Sequence, residues 1–238
     1  DKRSKVLNHI STTFVFGWSV KDVLYESDTN SNMDLLDFGY SQSKWVSEQV
    51  VFAAMQQGLQ ARIFRPALIS PSVDGAGYNF DIAIRLLAFM LNHGIAVKAK
   101  NQVSFTPADL VANNIVAISN LSETRNNTFH VTRSTYASMM DITQILSRLI
   151  GREFEYFDLS DFVPQVIRRC TKDDLLFPLL DFFVRSTDNI SAMEFKRYDN
   201  QNYYRAVQQA KWGKPDPSLE ETVKGLLLFM QKEGIVKI

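Results

Sequence analysis

The sequence predicts an α/β fold, a parallel sheet followed by a helix-rich C-terminal lobe. Three observations carry this. Short apolar, β-branched runs alternate with stretches of helical period up to about residue 150, the pattern of strands joined by crossover helices. Ser160 to Gly234 is helical in pattern almost throughout. The chain has 238 residues, 45% hydrophobic and 22% charged, which suits a globular protein with a sizeable core.

Val6, Leu7 and Ile10 form a first buried strand, ending in the hydroxyl cluster Ser11-Thr12-Thr13. Glu26 to Asp34 is rich in Ser, Asp, Thr and Asn and reads as a surface loop. From Tyr40 the period becomes helical and stops at a C′ glycine, Gly58. Ala61 to Ser70, ARIFRPALIS, is a second strand, expected to stop near Arg65 because Pro66 cannot donate to a ladder. Residues 70–79 form a loop, followed by a helix over Phe80 to Asn92. Thr106-Pro107 reads as the N-cap and first residue of another helix. Thr128 to Thr132 is a third strand, Ser134 to Ile150 an amphipathic helix closed by Gly151, and Phe154 to Phe157 a fourth strand. The last helix opens on a capping box, Ser218 with Glu221, and ends at Gly234.

Composition excludes several functions. Lys+Arg and Asp+Glu both number 26, so net charge is zero and a broad electrostatic grip on nucleic acid or an anionic membrane is not expected. The single cysteine, Cys170, forbids an internal disulfide, and His9, His93 and His130 are too scattered for a metal site. His9 and His130 fall in strands and read as satisfied core histidines. Cys170 follows two arginines, which suggests a mildly activated thiol. No apolar run reaches the ~20 residues of a membrane helix. The N-terminus has no signal-peptide core. The expected location is cytoplasmic.

Thr12, Tyr40 and Lys44 carry the chemistry. Tyr40 and Lys44 lie one turn apart at a helix start and share a face. A cation a few ångströms from a phenol favours its ionised form. A hydroxyl such as Thr12, at the end of the adjacent strand, can hold the same substrate oxygen. Together they can give a proton to an oxygen that becomes an alkoxide as hydride arrives.

The segments STTFVFG (11–17), GYSQSKWVSEQVV (39–51) and RPALI (65–69), in this order, resemble the extended short-chain dehydrogenase/reductases. Within them the likeness is to the terminal thioester reductase domains of nonribosomal peptide and polyketide synthases, with Trp45 after the lysine as the specific feature. The resemblance implies that Thr12 is the catalytic hydroxyl and Tyr40 the proton donor. Lys44 would assist Tyr40 and hold the nicotinamide ribose, and Pro66, Ala67, Leu68 and Ile69 would line the nicotinamide. Thr13, Gly77, Tyr78 and Asn79 would lie on the substrate side. It implies NADPH as hydride source and, as partner, an acyl or peptidyl carrier protein whose phosphopantetheine thioester is reduced to aldehyde or alcohol. The basic residues Arg168, Arg169, Lys172 and Arg185 are candidates for docking that carrier.

The glycines depart from this pattern. The family places a Gly-rich turn before the catalytic residues to cradle the cofactor pyrophosphate. Here only Gly75-Ala76-Gly77 begins such a motif, after Lys44 and beside Asp74. The expectation is a partial Rossmann-type parallel sheet with its N-terminal strands missing, a piece inactive alone that binds NADPH poorly. Residues 1–132 would form the truncated dinucleotide-binding part, with a substrate-loop insertion around 70–105, and residues 133–238 a mostly helical substrate and carrier lobe. The strand near Val6–Ile10 should then expose an apolar edge and favour self-association. Alternatives are a fatty acyl reductase, a nucleotide-sugar epimerase or dehydratase, and a non-redox release or docking domain. Trp45 and the lack of a basic nucleotide-binding loop after Asn79 argue against the epimerase or dehydratase. Intact Thr12, Tyr40 and Lys44 argue against the non-redox domain.

Overall fold

The computed structural model describes residues 5–19, 21–30, 33–36, 38–77, 79–193 and 196–236. Its larger elements, in chain order, are β1 (Leu7–Ile10), α1 (Gly39–Gln56), β2 (Ala61–Pro66), α2 (Ile82–His93), β3 (Ile95–Val97) and α3 (Ala108–Ser119), then β4 (Thr128–Val131), α4 (Met139–Ile150), β5 (Glu155–Phe157), α5 (Leu159–Arg169), α6 (Gln201–Gln209) and α7 (Leu219–Lys232). The fold is α/β with a parallel sheet, as the alternation predicts. Two compact units form, each from three segments: residues 1–69, 109–134 and 196–216 in the first, and 70–108, 135–195 and 217–238 in the second.

The first unit is built on a three-stranded parallel sheet of order β1-β2-β4. Leu7 pairs with Ala61 and Ile10 with Phe64; Ile63 pairs with Thr128 and Pro66 with Val131. Both faces of β2 are covered, as parallel strands require. On one face Val51 of α1 packs against Ala61 and Ile63. On the other, Phe64 and Phe129 pack with Val111 and Ile118 of α3 and Tyr203, Ala206 and Val207 of α6. β2 also buries two arginines. Arg62 Nε donates to the Thr124 hydroxyl at 2.7 Å, and Arg65 joins an ion pair described below. α1 ends as its sequence predicts. The N–H of Leu59 reaches the carbonyl of Ala54 and that of Gly58 reaches Met55, with Gly58 at φ +97°, a Schellman turn.

The second unit centres on α2, α4 and α7, with β3 and β5 paired in parallel. Asp81 caps α2, its carboxylate accepting from the N–H of Ile84 at 2.9 Å. The capping box of α7 is formed: Glu221 N–H donates to the Ser218 hydroxyl at 3.1 Å and Ser218 N–H to the Glu221 carboxylate at 2.8 Å. No helix among the described residues is long and apolar enough to cross a membrane.

β2 does stop within one residue of Arg65, at Pro66, because proline ends the strand where its missing N–H is not needed. Several other boundaries differ from expectation. Thr106 and Pro107 close a short strand, Phe105–Pro107, and α3 starts one residue later. α4 starts at Met139 rather than Ser134, because Ser138 and Asp141 form their own capping box. The stretch from Glu26 is no surface loop at its start. Glu26 is buried, as its carboxylate caps α6 by accepting from the N–H groups of Asn202 and Tyr203, at 2.6 and 3.0 Å, and from that of His130 at 2.9 Å.

Candidate active site

Parallel strands place the ends of β1 and β2 side by side, and open α/β sheets bind ligands at such carboxyl ends. Thr12 stands two residues beyond β1, and Pro66 to Ile69 continue β2 at the same end. Thr12 is extended (φ −157°, ψ 153°) and nearly buried, and its hydroxyl oxygen accepts from the N–H of Phe14 at 3.2 Å. That bond caps the 3-10 turn Thr13–Phe16 and leaves the hydroxyl proton free to donate. The turn closes at Gly17, φ +50°, where a Cβ would lie 2.0 Å from the Leu35 carbonyl oxygen. The buried Lys196 ammonium also holds this turn, donating to the Gly17 carbonyl at 3.0 Å. Burial lowers its pKa to about 8.

Tyr40 is the second residue of α1, with a side chain 53% exposed. Its ring stacks on Phe38, centroids 6.4 Å apart and planes within 13°, and Phe38 in turn meets Phe14 of the Thr12 turn at 5.1 Å. One turn along α1, the Lys44 ammonium donates to the Ile10 carbonyl at 3.1 Å, two residues before Thr12. The start of α1 is thus tied to the end of β1 by a cation and by a row of aromatic rings. After Pro66, the N–H of Ala67 donates to the Val131 carbonyl at 3.3 Å, Leu68 is half-buried and Ile69 exposed. Thr13 is buried. Gly77 and Asn79 belong to the second unit, and Tyr78 lies outside the described residues.

A nicotinamide cofactor fits part of this site. The Lys44 ammonium sits on the last residue of β1, two residues before the Thr12 hydroxyl, and Tyr40 stands one helix turn before Lys44. The Gly75-Gly77 loop does not fit the phosphates. A Cβ on Gly75 would meet Leu228 at 2.7 Å, and one on Gly77 would meet Pro71 at 3.0 Å and Phe229 at 3.1 Å, so these glycines serve packing against α7. The Asp74 carboxylate accepts from the Ser72 hydroxyl and from the N–H of Ala76, which engages the donor a phosphate would use.

Cys170 and His9 depart from their expected roles, whereas His130 is the satisfied core histidine expected. Burial and the nearby Asp174 carboxylate push the Cys170 thiol up to about 11, so it is not activated. His9 leaves its Nε2 buried without a partner, whereas His130 Nδ1 lies 2.7 Å from the Asp199 carbonyl. Burial and the Arg65 cation lower the His130 pKa to about 3, so the ring is neutral. Among the basic residues proposed for docking, Arg169 lies 3.5 Å from Glu155 and Arg185 lies 3.0 Å from Asp181. Sequence reasoning missed the buried pair Glu48 and Arg65. Its signal was a carboxylate one further turn beyond Lys44, on the same face, and an arginine inside an apolar run.

Known proteins similar to this chain include reductase domains of nonribosomal peptide and polyketide synthases. Residues 1–115 match an NAD-binding family described as "Male sterility protein". A linear gramicidin synthase of Brevibacillus parabrevis is 27% identical over 169 residues, 69% of this chain and 3% of that protein. The terminal R domain from the myxalamid PKS-NRPS biosynthetic pathway has a TM-score of 0.87 at 23% identity, over 98% of this chain and 60% of that one. A thiolation-reductase di-domain from an archaeal non-ribosomal peptide synthetase has a TM-score of 0.77 at 21% identity, over 98% of this chain and 50% of that one. The chain therefore spans less than two thirds of each of these proteins.

Proposed function

We propose that this chain, which resembles the terminal thioester reductase domains in sequence and shares their fold, is the catalytic part of an NADPH-dependent reductase. It would release an acyl or peptidyl thioester from a carrier protein as an aldehyde or an alcohol. The observation that carries this is the Lys44 ammonium on the Ile10 carbonyl, which sets the Tyr-Lys helix beside the Thr12 turn.

When bound, the reduced nicotinamide supplies a hydride. The residues of this chain do the rest. Thr12 and Tyr40 donate hydrogen bonds to the thioester carbonyl oxygen, where negative charge grows, and Tyr40 gives it a proton; the resulting hemithioacetal then breaks its C–S bond to give the aldehyde and the free phosphopantetheine thiol. Lys44 holds the ribose and assists Tyr40 from one helix turn away. Pro66 to Ile69 form the wall on the nicotinamide side. By the sequence resemblance alone, Thr13, Gly77, Tyr78 and Asn79 are proposed for the substrate side.

The test is NADPH oxidation by the complete protein with a carrier-bound acyl thioester. Aldehyde or alcohol appearing in step with NADPH consumption is the expected result. Product release by cyclisation or hydrolysis, with NADPH untouched, would point to a non-redox release domain instead. For the 238-residue chain alone we expect weak NADPH binding, and micromolar affinity in a calorimetric titration would contradict that part of the reading.

A further inference from the structure

We propose that Glu48 and Arg65 are a positioning pair that holds Tyr40 and Lys44 in register with Thr12 and with the Pro66–Ile69 segment. This rests on the reading of Thr12, Tyr40 and Lys44 as the reacting groups. Tyr40, Lys44 and Glu48 follow one another at single-turn spacing on α1, so one face carries all three. Glu48 takes both arms of the Arg65 fork: Nε donates to Oε1 at 2.8 Å and Nη2 to Oε2 at 2.7 Å. Arg65 is 0% exposed and Glu48 2%.

Arg65 immediately precedes Pro66, so whatever fixes its guanidinium fixes the start of that segment. The remaining arm reaches the other parts of the site. Its Nη1 donates to the Asp28 carbonyl at 2.9 Å and lies 3.4 Å from His130 Nε2. The neutral imidazole gives its Nδ1 proton to the Asp199 carbonyl, which leaves the Nε2 lone pair facing Arg65. The guanidinium carbon also sits 4.9 Å from the ring centroid of Phe16, in the turn that Thr12 caps. One side chain thus contacts or borders α1, β2, β4, the Thr12 turn and the 23–30 segment.

Stability alone does not explain such a pair. Replacing a buried ion pair by apolar residues of similar volume is often neutral or stabilising. Apolar residues would lose the planar two-point fork, which resists both sliding and rotation of the helix. A 1 Å misplacement of reacting groups can cost about 10²-fold in rate.

The experiment uses the complete protein, with NADPH and an acyl-phosphopantetheine thioester as substrate. Two variants are compared with wild type: Glu48→Leu with Arg65→Met, which removes both charges, and Arg65→Lys, which keeps the cation without the fork. The double variant is expected to unfold cooperatively at a midpoint near that of wild type. Its KM should stay within a few-fold, while kcat falls on the order of 10–100-fold. Arg65→Lys should recover part of that loss. Wild-type kcat in either folded variant, or a rise in KM with kcat unchanged, overturns the proposal. If the double variant does not fold, Arg65→Lys alone decides it by the same split. Tyr40→Phe runs in the same assay. If it keeps the wild-type rate, Tyr40 is not the proton donor and this inference falls with that assignment. If Tyr40→Phe loses activity and the pair variants do not, this inference alone fails.

Discussion

Glu26 and His130 share a hydrogen bond and pull stability in opposite directions with pH. Burial raises Glu26 from 4.5 to about 7, against the opposing pull of three backbone N–H donors. Its protonated form is thus favoured by folding. The contribution is full below pH 4.5 and is lost as pH rises through about 7, up to ~3 kcal/mol at ~1.4 kcal/mol per pH unit. Burial lowers His130 from 6.5 to about 3. Its contribution is present above pH 6.5 and is lost as pH falls through about 3. Between pH 4.5 and 6.5 the two slopes nearly cancel. Glu26→Gln separates them: the stability of wild type relative to the variant should fall as pH rises from 4.5 to 7. Urea midpoints of both proteins from pH 3 to 8 measure this, and parallel curves would refute it. Tyr40→Phe in the complete protein should lower the reductase rate by about 10²–10⁴, read by NADPH oxidation; an unchanged rate removes Tyr40 from the mechanism. These residues differ in how far the sequence reveals them. Tyr40 and Lys44 share a helix turn, so their spacing shows. Glu26 finds its partners Asn202 and Tyr203 some 176 positions away, and no local pattern reports that.

Among the elements, some helix ends were readable because caps are local chemistry, although the starts expected at Thr106 and Ser134 were not the ones used. Gly58, Gly151 and the Ser218-Glu221 box each act within a few residues of themselves. The helix α6 was readable as a helix, but nothing in its own sequence says that Tyr203, Ala206 and Val207 close the core over Phe64 and Phe129. Gly225 shows the same limit. Inside α7 a glycine costs about 1 kcal/mol relative to alanine, so the sequence alone marks it as a defect. In the structure a Cβ there would lie 2.4 Å from the Ser72 carbonyl oxygen and 2.9 Å from the Val73 Cα, both backbone atoms. The loop that carries Gly77 can lie against α7 only because this position has no side chain. Gly225→Ala should therefore destabilise by about 1–3 kcal/mol despite its better helix propensity. Gly39→Ala, where nothing lies within 4 Å, should be neutral or slightly stabilising. Chemical denaturation of the two variants checks the contrast. Equal midpoints would mean that the α7 contact yields without cost.

At the scale of the whole molecule, zero net charge means little long-range repulsion between copies, and the structure shows an exposed apolar surface. Among the described residues β1 pairs on one side only, with β2. Leu7 and Ile10 are 41% and 42% exposed there, and Val46 and Val50 stand out from α1 beside them. A groove of about 780 Å³ runs along this side, lined by His9, Met33, Val46, Val50 and Val51. An open strand edge next to an apolar groove favours pairing with another chain. The apolar pattern of Val6–Ile10 points to the exposed edge from sequence, but not to the groove, which needs α1 and β1 side by side. We expect the chain to self-associate through this side as its concentration rises. Burial of a large aliphatic side chain contributes about 1.5–3 kcal/mol. Leu7→Lys with Val50→Lys should therefore weaken association by at least roughly tenfold. Sedimentation velocity over a concentration series tests this. A wild-type chain that stays monomeric at the highest concentration, or a double variant that associates as wild type does, shows that this side is not the contact.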